Sequence, residues 1–247
     1  MKLYKLSHIG EFHINHNEDY LITEEAGKSR QLIAVMDGCS SGTDSYFAST
    51  LIGKLLRKIA KQEFYEEFAT NKTKNLIHQI EQVTLHLFEE LSNLNSQLDL
   101  RVDELLSTII IAIIDSELCS AELVIIGDGV IHINGKNFEY ENDNKPDYIG
   151  YHLSMNKQLW YQTRTKKLTV INIKDLTIST DGIYTFKNFD GKSYDYLDQQ
   201  EIITKFFVNR NELTNSNKLK KTLIEIKEKY GLLPSDDLTM IRVIFEE

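Results

Sequence analysis

Residues 105–114 read LLSTIIIAII, apolar at all but two positions and dense in isoleucine. β-Branched side chains are stiff about χ1 and pack well on a pleated surface, so such a run favours a strand over a helix. A strand with one wet face alternates apolar and polar residues. This one does not alternate, so both of its faces must be buried and other layers must lie above and below it. It is also the longest apolar stretch in the chain, far short of the ~20 residues that cross a bilayer.

The remaining pattern supplies those layers. Short β-type runs at 2–9, 20–24 and 32–36 precede two helical stretches. Phe47, Leu51, Ile52, Leu55, Leu56 and Ile59 recur at three and four, with Lys54, Arg57 and Lys58 on the other face; Leu76, Ile80, Val83, Leu87, Leu91 and Leu94 form a second stripe. Two such helices can pair over one face of a sheet. From 105 the period returns to β at 105–114, 121–126, 130–133 and 138–140, read as an antiparallel meander with Asn134-Gly135 as a hairpin turn. A polar segment at about 142–165 is read as a flap. Strands are expected around 168–180, helices at 202–208 and 219–230 with Gly231 and Pro234 as stops, and a last strand at 238–245. The expectation is one domain over 1–247, of α+β class: a four-layer α/β/β/α sandwich of two antiparallel sheets flanked by helix pairs, without the regular βαβ alternation of a doubly wound fold.

Several function classes are disfavoured. The formal charge of −9, with Lys and Arg scattered, argues against a nucleic-acid partner. No signal-peptide pattern opens the chain, so the expected setting is cytoplasmic, with no membrane association and a monomer in solution. Cys39 and Cys119 lack CxxC spacing and read as reduced thiols.

The chemistry-bearing residues are acidic. Glu18-Asp19, Asp37-Gly38, Asp128 within GDG, Asp181-Gly182 and Asp236-Asp237 all stand at the ends of apolar runs. Carboxylates gathered at one rim of a sheet suit hard cations such as Mn²⁺ or Mg²⁺. Asp-Gly is also a common turn dipeptide, and any one pair alone reads more readily as a turn than as a ligand. The case rests on the set.

Taken in order, that set resembles the protein phosphatase 2C family. Asn17-Glu18-Asp19 resembles its early acidic motif and VMDGCSSG (35–42) its DGxGG motif. Ser107-Thr108 with Ala112 resembles a strand motif, GDG (127–129) the family's GDS, STDGI (179–183) its SDG, and DDLT (236–239) its last acidic motif. The resemblance implies a protein serine/threonine phosphatase in which a metal-bridging water attacks phosphoserine or phosphothreonine. Asp37 would bridge two Mn²⁺ or Mg²⁺ ions, the Gly38 carbonyl would bind the second, and Asp181 and Asp236 would complete the first. Glu18 and Asp19 would hold metal-bound waters. Asp103 stands where a third ion would bind with help from Asp181, a reading weighed equally with a solvated charge before a strand. Asp128 is expected in a structural turn and Asp237 outside the direct ligands. The implied partner is a phosphorylated protein, with the enzyme opposing a Ser/Thr kinase.

The sequence also departs from the family. Many relatives carry an Arg four residues before the Glu of the early motif; here that position is Ile14. His13 and His16 flank it and could supply a donor, though a surface or packing role has the larger share. Cys39 replaces a His after the Asp-Gly pair, and Ser40 and Ser41 replace two glycines. These changes motivate an alternative, a catalytically weak binding or regulatory module on the phosphatase fold. A third reading treats every Asp-Gly pair as a turn.

Overall fold

In the computed structural model, which describes residues 1–140, 146–211 and 213–245, the isoleucine run becomes the middle strand of a sheet. In chain order the strands are β1 (Lys2–His8), β2 (Tyr20–Gly27), β3 (Arg30–Gly38), β4 (Ser107–Asp115), β5 (Ser120–Ile126), β6 (Gly129–Ile133), β7 (Lys136–Tyr140), β8 (Lys166–Val170), β9 (Asp175–Ser179), β10 (Phe186–Asn188), β11 (Leu232–Pro234) and β12 (Leu238–Ile244). The helices are α1 (Tyr46–Thr70), α2 (Leu76–Leu98), α3 (Lys157–Arg164), α4 (Gln199–Phe207) and α5 (Lys218–Tyr230). One sheet has the order β2-β3-β4-β5-β8 and the other β1-β12-β9-β6-β7, with antiparallel pairs throughout.

Every residue of β4 is buried. Successive side chains of a strand point to opposite faces, and here both faces are covered. Ile109, Ile111 and Ile113 pack with the apolar stripes of α1 and α2, while Ile110, Ala112 and Ile114 pack against Ile131, Ile178, Ile241 and Val243 of the second sheet. A third core joins the outer face of the second sheet to α4 and α5 through Phe206, Phe207, Leu219, Leu223 and Ile226. The expected four layers are therefore present. No helix among the described residues is long and apolar enough to cross a membrane.

Two expectations change. Residues 105–140 do not form one meander: β4 and β5 belong to the first sheet, β6 and β7 to the second. The chain crosses between sheets at Gly127-Asp128-Gly129, where both glycines have positive φ (+85° and +135°). An added Cβ there would stand 2.8 Å from Thr108 Cγ2 or 2.7 Å from Ile110 Cδ1, so only glycine makes this crossing without strain. The flap region holds more structure than its polarity implies. Residues 142–145 lie outside the described residues, and 157–164 form α3, whose Asn156 side chain accepts from the backbone of Gln158 and Leu159. Trp160 anchors this helix, fully buried with its ring 4.5 Å from that of Phe88. Strand β1, first in the chain, pairs along its whole length with β12, from Lys2 opposite Ile244 to His8 opposite Leu238.

Candidate metal centre

Antiparallel pairing sets the C-terminal end of β3 beside the N-terminal ends of β2 and β4, and the C-terminal end of β9 beside the N-terminal end of β12. The acidic residues occupy these ends. Asp37 and Gly38 close β3, opposite Thr108 and Ser107. Asp19 immediately precedes β2, Asp181 follows β9 by two residues, Asp236-Asp237 precede β12, and Asp128 lies in the crossing between sheets. One rim of the two-sheet seam thus carries carboxylates from both sheets.

Their electrostatics show that they face one another. Burial pushes the Asp37 carboxyl well above the usual range, and the charges of Asp19, Asp181, Asp236 and Asp128 push it further. Asp19 is only 4 % exposed. Burial raises its carboxyl as well, the Thr180 hydroxyl opposes that shift by donating to Oδ2 at 2.8 Å, and Asp237 and Asp181 add to it. The Thr239 hydroxyl also lowers the Asp19 carboxyl, though the buried Oδ1 of Asp19 has no hydrogen bond of good geometry. The groups that shift these two carboxyls most include no Lys or Arg.

The supporting frame is specific. The Glu18 carboxylate accepts from Ser40 Oγ at 2.7 Å and Ser45 Oγ at 2.5 Å, and its backbone carbonyl accepts from the Gly38 amide at 3.1 Å. The chain beside Gly38 is so close that an added Cβ would stand 2.1 Å from the Ser45 carbonyl oxygen. Asp237 is buried and accepts from the amides of Gly10 at 2.7 Å and Glu18 at 2.5 Å, tying the 10–18 loop to the start of β12. Asp103 is engaged elsewhere: Arg101 donates to both of its oxygens at 3.1 and 2.9 Å, and Thr43 Oγ1 donates at 2.9 Å.

Two further residues enter the centre. His13 Nδ1 lies 2.9 Å from Asp237 Oδ2, off the axis of a ring N–H bond, while Nε2 lies 3.5 Å from Asp236 Oδ1 and 3.9 Å from Glu18 Oε2. Burial works to lower its imidazole, but Asp237, Glu18 and Asp236 together raise it. Tyr148, from the flap, meets Cys39; burial, that contact and the charges of Asp37 and Asp128 drive its hydroxyl far upward. No sequence signal singled out Tyr148, and His13 stood out only by adjacency to Ile14. His16 instead sits against the Tyr46 ring, 4.3 Å between centroids, and Ile14 is 90 % exposed.

The sequence profile of the protein phosphatase 2C family matches residues 9–226. The chain belongs to the protein phosphatase 2C family. No curated protein matches it. Among solved structures, a bacterial serine phosphatase is similar at 14 % identity and TM-score 0.66, covering 100 % of this chain and 98 % of its own. The serine/threonine phosphatase Stp1 from Staphylococcus aureus is similar at 12 % identity and TM-score 0.65, with 100 % and 95 % covered. RsbX, solved in complex with magnesium, is similar at 18 % identity and TM-score 0.51, with 97 % and 92 % covered. At these identities the likeness is one of fold.

Phosphatase 2C proteins are metal-dependent, and the residues present fit a hard divalent cation. The centre offers oxygen donors, closely grouped carboxylates of like charge, and a buried Asp19 oxygen without a well-formed hydrogen bond. Among the described residues no group of three or more His, Cys, Asp and Glu side chains is placed to hold a metal ion by itself. Mg²⁺ and its like keep several waters and need only one or two carboxylates each, so a partial set is what such an ion requires.

Proposed function

We propose that this chain is a metal-dependent protein serine/threonine phosphatase that hydrolyses phosphoserine and phosphothreonine in proteins phosphorylated by a Ser/Thr kinase. The observation that carries this reading is the group formed by Asp37, Asp19, Asp181, Asp236 and Asp128 at the seam of a phosphatase 2C fold, where burial and the charges of the others raise the Asp37 and Asp19 carboxyls. Asp37, the Gly38 carbonyl, Asp181 and Asp236 would hold two Mn²⁺ or Mg²⁺ ions, with Glu18 and Asp19 acting through waters. Bound there, the ions would supply an activated water and neutralise charge on the phosphoryl oxygens.

The protein's own contribution is orientation. Ser40 and Ser45 hold the Glu18 carboxylate from two sides, and Thr180 holds that of Asp19, so both acids are fixed before anything binds. Tyr148 stays protonated at neutral pH, so its hydroxyl can donate to an incoming ester oxygen without bringing charge. Cys39 is half-buried and its Sγ shares a hydrogen bond with Ser41 Oγ at 3.0 Å, in which either atom can donate, and no thiol nucleophile is needed. Asp103 pairs with Arg101 at the surface; a third ion there, with help from Asp181, would add to this reading, which two ions already satisfy.

Hydrolysis of an aryl phosphate and of phosphothreonine peptides, measured with Mn²⁺, with Mg²⁺ and with excess chelator, tests it. Turnover that appears with either cation and vanishes with chelator is expected. Turnover indifferent to chelator, or none with any divalent cation, would refute the proposal.

A further inference from the structure

An exposed apolar patch stands against the carboxylates of this centre. The amides of Glu11 and Phe12 donate to the carbonyls of Pro234 and Ser235, each at 3.0 Å, so Phe12 is held beside the residue that precedes Asp236. His13 faces the carboxylates of Asp236, Asp237 and Glu18, whereas its neighbours Phe12 and Ile14 are 65 % and 90 % exposed. The Phe12 ring meets that of Phe189 edge-on, 5.7 Å between centroids, and Lys187 Nζ lies 5.2 Å from the Phe12 centroid. Phe189 belongs to a turn closed by the Asn188 side chain, which accepts from the amides of Asp190 and Gly191 at 3.2 and 3.0 Å. Both phenyl groups are thus presented to water on backbone that is tied down. A lone exposed apolar residue needs no explanation, but two in contact on such a frame mark a surface that favours a partner.

We propose that Phe12 and Phe189 dock the substrate chain, taking a bulky aliphatic or aromatic side chain two residues from the phosphorylated serine or threonine. The inference rests on the phosphatase reading above and gives it a substrate class. A phosphoryl group that reaches these carboxylates brings its own chain across the surface beside them, and Phe12 is part of that surface. In an extended segment side chains alternate, so a residue two positions away, about 6.6 Å along, points to the same side as the phosphorylated one. Charge fits the same occupant. Among the described residues no carboxylate pairs with Lys187, whose ammonium over the Phe12 ring draws an anionic, phosphorylated chain toward an otherwise acidic rim.

Phosphothreonine peptides otherwise built of alanine, with leucine placed two residues before or two residues after the phosphothreonine, test it in the presence of Mn²⁺. In the wild type, leucine at one of these positions should raise kcat/KM about tenfold over the all-alanine parent, by shedding apolar surface against the two rings. In Phe12→Ser and Phe189→Ser, checked for folding by melting temperature, that ratio should fall toward one, and Phe12→Leu should keep it. A wild-type ratio near one at both positions, or a ratio undiminished in both serine variants, overturns the docking assignment, while hydrolysis of the parent peptide leaves the phosphatase reading standing. Self-association of the wild type in sedimentation, lost in Phe12→Ser and accompanied by no leucine preference, makes the patch an interface between copies and overturns the assignment too. Hydrolysis of no peptide with any divalent cation overturns the phosphatase reading itself, and the assignment with it.

Discussion

Arg242 and Asp175 form a bidentate ion pair under the α4–α5 layer, Nε to Oδ1 at 3.0 Å and Nη2 to Oδ2 at 2.5 Å, with the arginine side chain fully buried. The remaining Nη1 donates to the carbonyls of Phe206 and Asn209, stitching the end of α4 to the second sheet. The first sheet has a counterpart in Arg30, which donates to Asp115 and to Gln79 of α2. Each helical layer is thus fastened to its sheet by one buried guanidinium.

Breaking such a pair leaves a buried charge uncompensated, which costs more than the pair itself contributes. Arg242→Ala should destabilise the protein by about 3–5 kcal/mol. The double change Arg242→Met with Asp175→Leu should cost far less. Denaturant midpoints of the two variants, compared with wild type, check the ordering; equal losses would contradict it.

Asp37→Asn should abolish phosphate-ester hydrolysis, since that carboxylate is the one reached by charges from both sheets. The same change should not unfold the protein. Folding raises the Asp37 carboxyl, so its ionised form costs stability at neutral pH, and a neutral isostere removes that cost. The variant is expected to melt at or above the wild type in metal-free buffer. A clearly lower melting temperature would mean that the carboxylate is a structural strut.

Divalent cations that bind the folded state alone stabilise by mass action, about 2.7 kcal/mol at one hundred times the dissociation constant. For a chain of this size that is roughly 5–10 °C of melting temperature. Mn²⁺ should produce this rise and chelator should reverse it, followed by calorimetry. The rise should shrink sharply in Asp37→Asn and Asp236→Asn.

Ile14→Arg should fold normally, because a side chain already 90 % exposed brings no charge into the core. If this position faces incoming phosphate, a bidentate contact worth roughly 1.5–3 kcal/mol should lower KM about 10- to 100-fold and leave kcat nearly unchanged. An unaltered KM would show that the side chain points away from the substrate.

What the sequence made legible follows from where local signals and the fold agree. The isoleucines of β4 had no partner but a two-sided core, and the stripe of α2 could face only a sheet. Asn134-Gly135 specified its turn, and both residues take positive φ. The acidic residues could be read as a set because each ends a recognisable apolar run. Helix α3 was hidden because it is held by Trp160 and Tyr161 on a mostly polar background. The change of sheet at Gly127-Asp128-Gly129 was hidden because a hairpin and a crossing use the same glycines. His13 and Tyr148 reach the centre only through loop geometry, which no local period encodes.

The full pairing of β1 with β12 has a consequence for synthesis. Strand β1 cannot pair until β12 has been made, and closing so long a loop is slow compared with local pairing. While the ribosome is still at work the nascent chain therefore holds one sheet with an open edge, and the aspartates at 236 and 237, next to that final strand, are the last part of the centre to be delivered. A chain truncated before residue 236 loses the closing strand together with Asp236 and Asp237, so premature release yields a fragment with an incomplete centre.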